Sequence, residues 1–417
     1  MEKTYKIIGG KELKGKINIQ GSKNAALPII IASLLNKNKT TLKNIPNIKD
    51  VLELIEILKK LNVQTKFNNN SLSIDASNIK YIPLTIMEVQ TFRASYYFIG
   101  AFLSLYGKVE IFKPGGCKIG SRPIDQHILG LEKLGAKIIV ENELIKCSIK
   151  RIEKADIYLD IPSVGATINI ILASLNTKEK IIINNAAKEP EIEDFVNFLN
   201  KSGFNIQGAG TSKIIIKPYA KTYKVTYKII PDRIVAGTFL IYGSLLAKKL
   251  TIKNFYVKHN EILLLTLKSL GVKIKSKKKS IVVFKTNLTK GANITTGVYP
   301  GFPTDLQQII TVLLLYSKEK SFVTETLFEN RFSFLNEIKK VGGKFMIFKN
   351  TVEIFPSNTS SSTFCCEDLR GGAALLLVCL YSKGASTLKN IKYIERGYEN
   401  IINNLRKIGA RIDEIVE

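Results

Sequence analysis

The sequence predicts an α/β fold made of six repeated strand–helix units, each about 70 residues long. Three observations predict it. First, the phrases LNVQTKF, LGAKII, SGFNIQ, LGVKIK, VGGKFM and IGARID recur, and their second residues, Asn62, Gly135, Gly203, Gly271, Gly342 and Gly409, lie 73, 68, 68, 71 and 67 positions apart. Second, each phrase closes a stretch of helical apolar spacing and opens a strand-like one. Val51, Leu54, Ile55, Leu58 and Leu61 show the helical spacing in the first copy, and Tyr398, Ile401, Ile402, Leu405 and Ile408 in the last. The Gly between helix and strand suits a left-handed C-terminal cap. Third, a strand and a loop precede every such helix: TTLKNIPNIKD, VEIFKPGGCKIGSRPID, IIINNAAKEPEIED, LTIKNFYVKHN, FVTETLFENRF and STLKNIKYIERGYE. The loops differ while the frame repeats, and function concentrates on variable loops carried by a rigid frame.

Six units divide most simply into two lobes of three with a cleft between them, and residues 218–233, PYAKTYKVTYKIIPDR, are the expected crossing point. A chain of 417 residues is long enough for two or three domains. Its first residues lack the apolar core of a secretory signal, and runs such as AALLLVCLYS fall short of the roughly 20 residues that span a bilayer, so a soluble, cytoplasmic protein is expected. Five cysteines in no CxxC pair and only two histidines, His127 and His259, argue against zinc and point to free thiols in a reducing compartment. The formal charge of +27 raises a nucleic-acid reading, but the lysines are scattered, and the densest run, KSKKKS at 275–280, has no interleaved aromatics.

The chemistry-bearing stretches are few. In KPGGCKIGSRPIDQH, residues 113–127, Cys117 stands among Gly115, Gly116 and Gly120 with Lys113, Lys118 and Arg122 nearby, a setting for a reactive thiol rather than a packed one such as Cys379. Gly21-Ser22-Lys23-Asn24 opens an apolar helix, where free backbone amides and the lysine suit an anion; a plain helix cap is the competing reading. The same two readings apply to Ser163 in SVGAT. Arg93, Asp305, Arg331, Asp368, Arg370 and Arg396 sit in apolar or glycine-rich company, each explicable as a buried ion pair or cap, but together with Lys23 suited to a small, multiply charged anion. Glu189, Glu191 and Glu193 read as first-turn acids without a catalytic role.

The ordered motifs GSKNAALPI, TFRAS, PGGCKIGSRPID, PSVGAT, AAKEPEI, PDRI, FPTDLQ, TETLFENRF, EDLR and IERGYE closely resemble those of the UDP-N-acetylglucosamine 1-carboxyvinyltransferase family of enolpyruvyl transferases, over essentially the whole chain. The resemblance implies a two-lobed inside-out α/β barrel, with lobes of residues 22–229 and of 1–21 plus 230–417. It also implies transfer of the enolpyruvyl group of phosphoenolpyruvate to the 3-hydroxyl of UDP-N-acetylglucosamine with release of phosphate, the first committed step of peptidoglycan precursor synthesis, without metal or organic cofactor. In that likeness Asp305 takes the hydroxyl proton and Cys117 delivers one to the methylene carbon and is the site of fosfomycin alkylation. Lys23, Asn24, Arg122, Arg370 and Arg396 match positions that hold phosphoenolpyruvate, with Lys23 and Arg396 also catalytic. Arg93, the run Arg122, Pro123, Ile124, Asp125 and Gln126, the run Ile161, Pro162, Ser163 and Val164, and Asp305 and Leu327 match positions lining the sugar nucleotide. Three departures stand out: Ile161 where some relatives carry a basic residue, Val235 in place of a glutamate, and Gly371 where alanine is common. The alternatives are the shikimate-pathway enolpyruvyl transferase, which lacks the cysteine loop, and a catalytically silent basic binding protein on the same fold.

Overall fold

The computed structural model describes residues 3–115, 120 and 122–416. Cys117 lies outside the described residues. The chain divides into two compact units, the first built from Gly21–Gly116 and Arg122–Ile230, the second mainly from Met1–Gln20 and Pro231–Glu417.

Each unit is organised around three helices that are apolar on every side. In the first these are α1 (Lys23–Ala32), α2 (Tyr97–Tyr106) and α3 (Val164–Ser174); in the second, α4 (Arg233–Leu246), α5 (Thr304–Leu315) and α6 (Leu369–Tyr381). Every residue of α5 from Leu306 to Leu315 and of α6 from Leu369 to Leu380 is buried. A helix without a polar face has to be enclosed. Helices α4, α5 and α6 pack on one another, as α2 does on α1 and α3. Close approach is helped by small residues: a Cβ on Gly100 of α2 would stand 2.3 Å from the Asn169 carbonyl oxygen of α3. The other helices are two-faced. In Lys49–Lys60, Val51, Leu54, Ile55, Ile57 and Leu58 are buried, while Lys59 and Lys60 are exposed.

The sheets lie outside the helices, three to a unit, and remain separate rather than forming one closed barrel among the described residues. In the first unit, strand Thr40–Lys43 pairs antiparallel with Ser71–Asp75 and parallel with Val225–Lys228, so the last repeat of the unit returns a strand to the first. Ile181–Asn184 likewise takes Ala155–Tyr158 as its parallel neighbour from the preceding repeat. The second unit follows the same scheme, but its sixth repeat is completed from the start of the chain. Lys3–Gly9 pairs antiparallel with both Gly384–Lys389 and Arg411–Val416, and Leu13–Asn18 then runs parallel to Ala247–Lys253. Among the described residues no helix is long and apolar enough to cross a membrane.

All six marker residues adopt left-handed backbone: Asn62 (φ 64°), Gly135 (94°), Gly203 (107°), Gly271 (83°), Gly342 (100°) and Gly409 (105°). In every copy the next amide bonds back to a carbonyl five residues earlier, as Val63 N does to Leu58 O at 3.0 Å and Val272 N to Leu267 O at 2.9 Å. The repeated phrase is therefore a helix stop that also aims the following strand. Near the end of the first unit, buried Asp194 accepts the Tyr227 hydroxyl at 2.6 Å and the Ile230 amide at 3.2 Å. Burial raises this carboxyl to about 6, against the opposing pull of the Tyr227 and Ile230 hydrogen bonds.

Two stability outcomes follow from these features. Nothing lies within 4 Å of a Cβ built on Gly271, so G271A should lose only the left-handed strain of about 1 kcal/mol. G203A should lose clearly more, because its Cβ would meet the Lys221 carbonyl oxygen at 2.3 Å. Equal losses in chemical denaturation would refute this account. For Asp194 the folded state binds the proton more tightly than the unfolded chain does, so its contribution is fully present below about pH 4 and is lost as pH rises through about 6. The stability of the unsubstituted protein minus that of D194N should fall by on the order of 2–3 kcal/mol between acid and neutral pH in urea titrations. A pH-independent difference would contradict it.

Candidate active site

Most of the candidate residues lie at or near the N-terminal ends of the inner helices, where backbone amides lack intrahelical partners and the macrodipole favours negative charge. In the second unit the ends of α5 and α6 come together. Asp305, in the first turn of α5, accepts Arg331 Nη2 at Oδ1 (2.9 Å) and Arg370 Nη2 at Oδ2 (3.1 Å). Both arginine side chains are almost fully enclosed, at 4% and 5% exposure, whereas the Asp305 side chain is 27% exposed. The carboxylate is thus paired yet partly exposed. Burial alone would raise the Asp305 carboxyl, but the charges and hydrogen bonds of Arg370 and Arg331 hold it well below the usual carboxylate range.

The clamp is itself held. Arg331 Nη1 donates to Gln308 Oε1 at 3.3 Å, and Gln308 Nε2 donates to Asp368 Oδ2 at 3.2 Å. Asp368 caps α6, accepting the amides of Arg370 and Gly371 at 2.9 and 3.0 Å. A Cβ on Gly371 would stand 2.6 Å from Asp368 Oδ2, so an alanine here would require the cap to shift. The Arg331 guanidinium lies 5.1 Å from the Phe328 ring centroid and that of Arg370 5.3 Å from Tyr398, whose hydroxyl is 2.9 Å from Thr238 Oγ1. Arg331 Nε and Arg370 Nε and Nη1 are buried without a hydrogen-bond partner among the described residues, so donor capacity is left at this cationic centre. Arg396 is half-buried at the end of the short helix Lys392–Glu395. The Gln20 side chain pins the turn beyond it, donating to Gly397 O at 3.0 Å and accepting Glu399 N at 2.7 Å. Leu327 is 38% exposed.

In the first unit, Ser22 caps α1 through Ala25 N, at 3.4 Å, and Lys23 Nζ pairs at 2.7 Å with Asp50, which is buried in the helix Lys49–Lys60. Asn24 is exposed. Arg93 Nη2 donates to Arg122 O at 2.5 Å, and its guanidinium lies 4.9 Å from the Tyr96 ring centroid, so Arg93 fixes the backbone at the start of the run Arg122–Gln126. At the other end of that run Gln126 accepts Asp160 N and donates to Asp160 Oδ2, both at 2.9 Å, which ties it to the segment Ile161–Val164. Pro123 and Asp125 are exposed, Ile124, Pro162 and Val164 half-buried, and Ile161 is 60% exposed. Ser163 caps α3 through Ala166 N at 3.2 Å, the cap that its position after a strand suggests. Next to Gln126, buried His127 shares a 2.8 Å contact with Asn169 Nδ2, and burial with the nearby Arg93 charge pushes it down to about 3. It is a packed neutral ring. Among the described residues no group of three or more His, Cys, Asp or Glu is placed to hold a metal.

The structure thus brings Asp305 and Arg370 into direct contact, and it ties the two first-unit runs that the resemblance assigns to the sugar nucleotide, Arg122–Gln126 and Ile161–Val164, into one hydrogen-bonded assembly. Sequence reasoning missed Asp50, the partner of Lys23, and Gln308, the link between Arg331 and Asp368. Asp50 shows only as a first-turn acid before Val51. Gln308, buried and three residues beyond Asp305 in FPTDLQQ, was the available signal.

Residues 7–405 match the family model of EPSP synthase (3-phosphoshikimate 1-carboxyvinyltransferase), and the chain belongs to this carboxyvinyl transferase family. Within it, full-length relatives bear the name UDP-N-acetylglucosamine 1-carboxyvinyltransferase. One from Staphylococcus epidermidis is 41% identical, covering 99% of this chain and 98% of its own, and one from Halothermothrix orenii is 41% identical, covering 99% of both. Two solved structures share the fold. They are the enolpyruvyl transferase NikO from Streptomyces tendae (TM-score 0.90, 21% identity, 100% and 99% of the two chains) and EPSP synthase from Acinetobacter baumannii (TM-score 0.78, 14% identity, 99% and 100%).

The clamp makes an unusual stability forecast. D305N would leave two enclosed guanidiniums converging on a neutral amide, whereas R331Q leaves Asp305 paired with Arg370. D305N should therefore lose about 3–5 kcal/mol and R331Q about 1–3 kcal/mol in urea unfolding. A D305N protein more stable than R331Q would show that the arginines are not held by the carboxylate.

Proposed function

We propose that the protein transfers the enolpyruvyl group of phosphoenolpyruvate to the 3-hydroxyl of UDP-N-acetylglucosamine and releases inorganic phosphate. The observation that carries this reading is the Asp305 carboxylate, ionised between Arg331 and Arg370 yet partly exposed, in a chain 41% identical over almost its full length to enzymes of that name. The sugar hydroxyl oxygen bonds to C2 of phosphoenolpyruvate as its proton passes to Asp305, and C3 accepts a proton to become a methyl group. The tetrahedral adduct then loses a proton from that methyl group and expels phosphate, leaving the enol ether. Because the arginines hold Asp305 so acidic, it cannot deprotonate the hydroxyl ahead of attack; proton transfer and C–O bond formation are coupled. Cys117 serves as the proton donor to C3 in this scheme. Lys23, Arg122, Arg370 and Arg396 offset the charge of phosphoenolpyruvate and of the departing phosphate, with Asn24 beside them. Arg93, Arg122–Gln126, Ile161–Val164 and Leu327 line the nucleotide sugar, where exposed Ile161 offers apolar contact and no charge.

The deciding assay follows phosphate release from phosphoenolpyruvate with UDP-N-acetylglucosamine or with shikimate 3-phosphate as acceptor. Release with the nucleotide sugar alone is expected; release with the shikimate ester alone would overturn the assignment, and release with neither would leave the silent binding protein. D305A should lower kcat by about 10²–10⁴-fold, the usual worth of a positioned general base. Fosfomycin should add one equivalent to Cys117 by mass spectrometry, and an unmodified thiol would remove its proposed role. R331M should move the acidic limb of the kcat profile to higher pH, since one of the two charges depressing Asp305 is gone; an unmoved limb would argue that Asp305 is not the titrating base.

A further inference from the structure

In four of the six repeats the residue directly after the central strand is an asparagine in left-handed backbone: Asn44 (φ 61°), Asn185 (54°), Asn254 (56°) and Asn390 (57°). Its amide group reaches the end of the neighbouring parallel strand. Asn44 Nδ2 donates to Ile229 O at 2.9 Å, Asn185 Nδ2 to Leu159 O at 2.8 Å, Asn254 Nδ2 to Asn18 Oδ1 at 2.9 Å and Asn390 Nδ2 to Cys365 Sγ at 3.0 Å. This is a lock between repeats.

In the fifth repeat the position is occupied by Glu325, only 2% exposed. It contacts the same place with reversed polarity: Thr296, directly after the parallel strand Asn293–Thr295, donates its hydroxyl to Glu325 Oε1 at 2.9 Å. The carboxylate then does two things an asparagine does not do in the other copies. Oε1 accepts the Leu327 amide at 2.8 Å, and Oε2 accepts the Thr304 hydroxyl at 2.7 Å. Thr304 is the first residue of α5 and immediately precedes Asp305. The lock has been rebuilt in the repeat that carries the clamped carboxylate. A glutamate offers two acceptor oxygens on a longer stem, where asparagine offers one.

We propose that Glu325 is a positioning residue that fixes Leu327 against the N-terminus of α5, so that the nucleotide sugar is presented with its hydroxyl at Asp305. The proposal rests on the enolpyruvyl-transfer reading. Glu325 touches no reacting atom itself; it sets the distance between the loop that lines the sugar nucleotide and the base that receives the proton. Misplacement of that kind is costly in catalysis because attack requires aligned atoms.

The test compares E325A and E325Q with the unsubstituted protein, using phosphoenolpyruvate and UDP-N-acetylglucosamine as substrates and amide hydrogen exchange at Leu327 as a readout independent of turnover. E325A should lower kcat by about 10–100-fold and raise KM for the nucleotide sugar, with KM for phosphoenolpyruvate within about twofold. E325Q should recover kcat to within about threefold, since its oxygen can take the Thr296 and Leu327 donors while its amide group donates to Thr304 Oγ1. Exchange at Leu327 should quicken about tenfold or more in E325A. Wild-type kcat and KM per folded molecule in E325A, even with a lowered Tm, overturn the proposal. Should E325A fail to fold, T304V and T296V each remove one donor, and unaltered kinetics in both would count against it equally. If the unsubstituted protein releases no phosphate, the enolpyruvyl reading fails separately, and a Leu327 amide equally protected in E325A still refutes the positioning claim.

Discussion

The enclosure of six helices with no polar face governs the rest of this structure. Such helices cannot border water along their length, so sheets and two-faced helices surround them, and polar chemistry is confined to where the helices end. At their N-termini the first amides are free and the dipole is positive, which makes these ends suited to anions. Ser22 and Lys23 open α1, Ser163 and Val164 open α3, Asp305 stands in the first turn of α5, and Asp368 with Arg370 opens α6. Anion-suited helix ends and helix enclosure are thereby two sides of one constraint.

Within the second unit the same constraint explains why charged side chains sit so deep. Arg331 and Arg370 are nearly inaccessible, and such ions persist only with partners. Asp305 supplies the opposite charge, Gln308 and the Asp368 cap supply neutral support, and the Phe328 and Tyr398 rings cover the guanidinium faces. Structure and chemistry draw on one group here. In the proposed reaction, the carboxylate that compensates the arginines is also the base.

Much of the frame was legible in the sequence because it rests on local backbone geometry. The period near 70 appears as Gly or Asn at six helix stops, and all six are left-handed in the structure. Amphipathic spacing identified the outer helices for the same reason, since one face of each meets solvent. Strand exchange between repeats was not legible from the residues, because which strand lies beside Thr40–Lys43 depends on where residues 225–228 arrive in space. At the candidate site, charge in apolar company singled out Asp305, Arg331 and Arg370, while the choice between ion pair and anion site needed distances. Asp50 and Glu325 escaped notice because an acid in a first turn and an acid after a strand are commonplace alone. Comparing Glu325 with Asn44, Asn185, Asn254 and Asn390 at the same place in the repeat is what sets it apart.

The pairing of Lys3–Gly9 with Arg411–Val416 bears on how the molecule is made. On the ribosome the first unit has all its strands once residue 230 has emerged, and it can condense while synthesis continues. Lys3–Gly9 and Leu13–Asn18 belong to the second unit and have no such option. Leu13–Asn18 can pair once Ala247–Lys253 has emerged, whereas Lys3–Gly9 waits unpaired until Gly384–Lys389 and Arg411–Val416 have been made, so the sheet of the sixth repeat closes late.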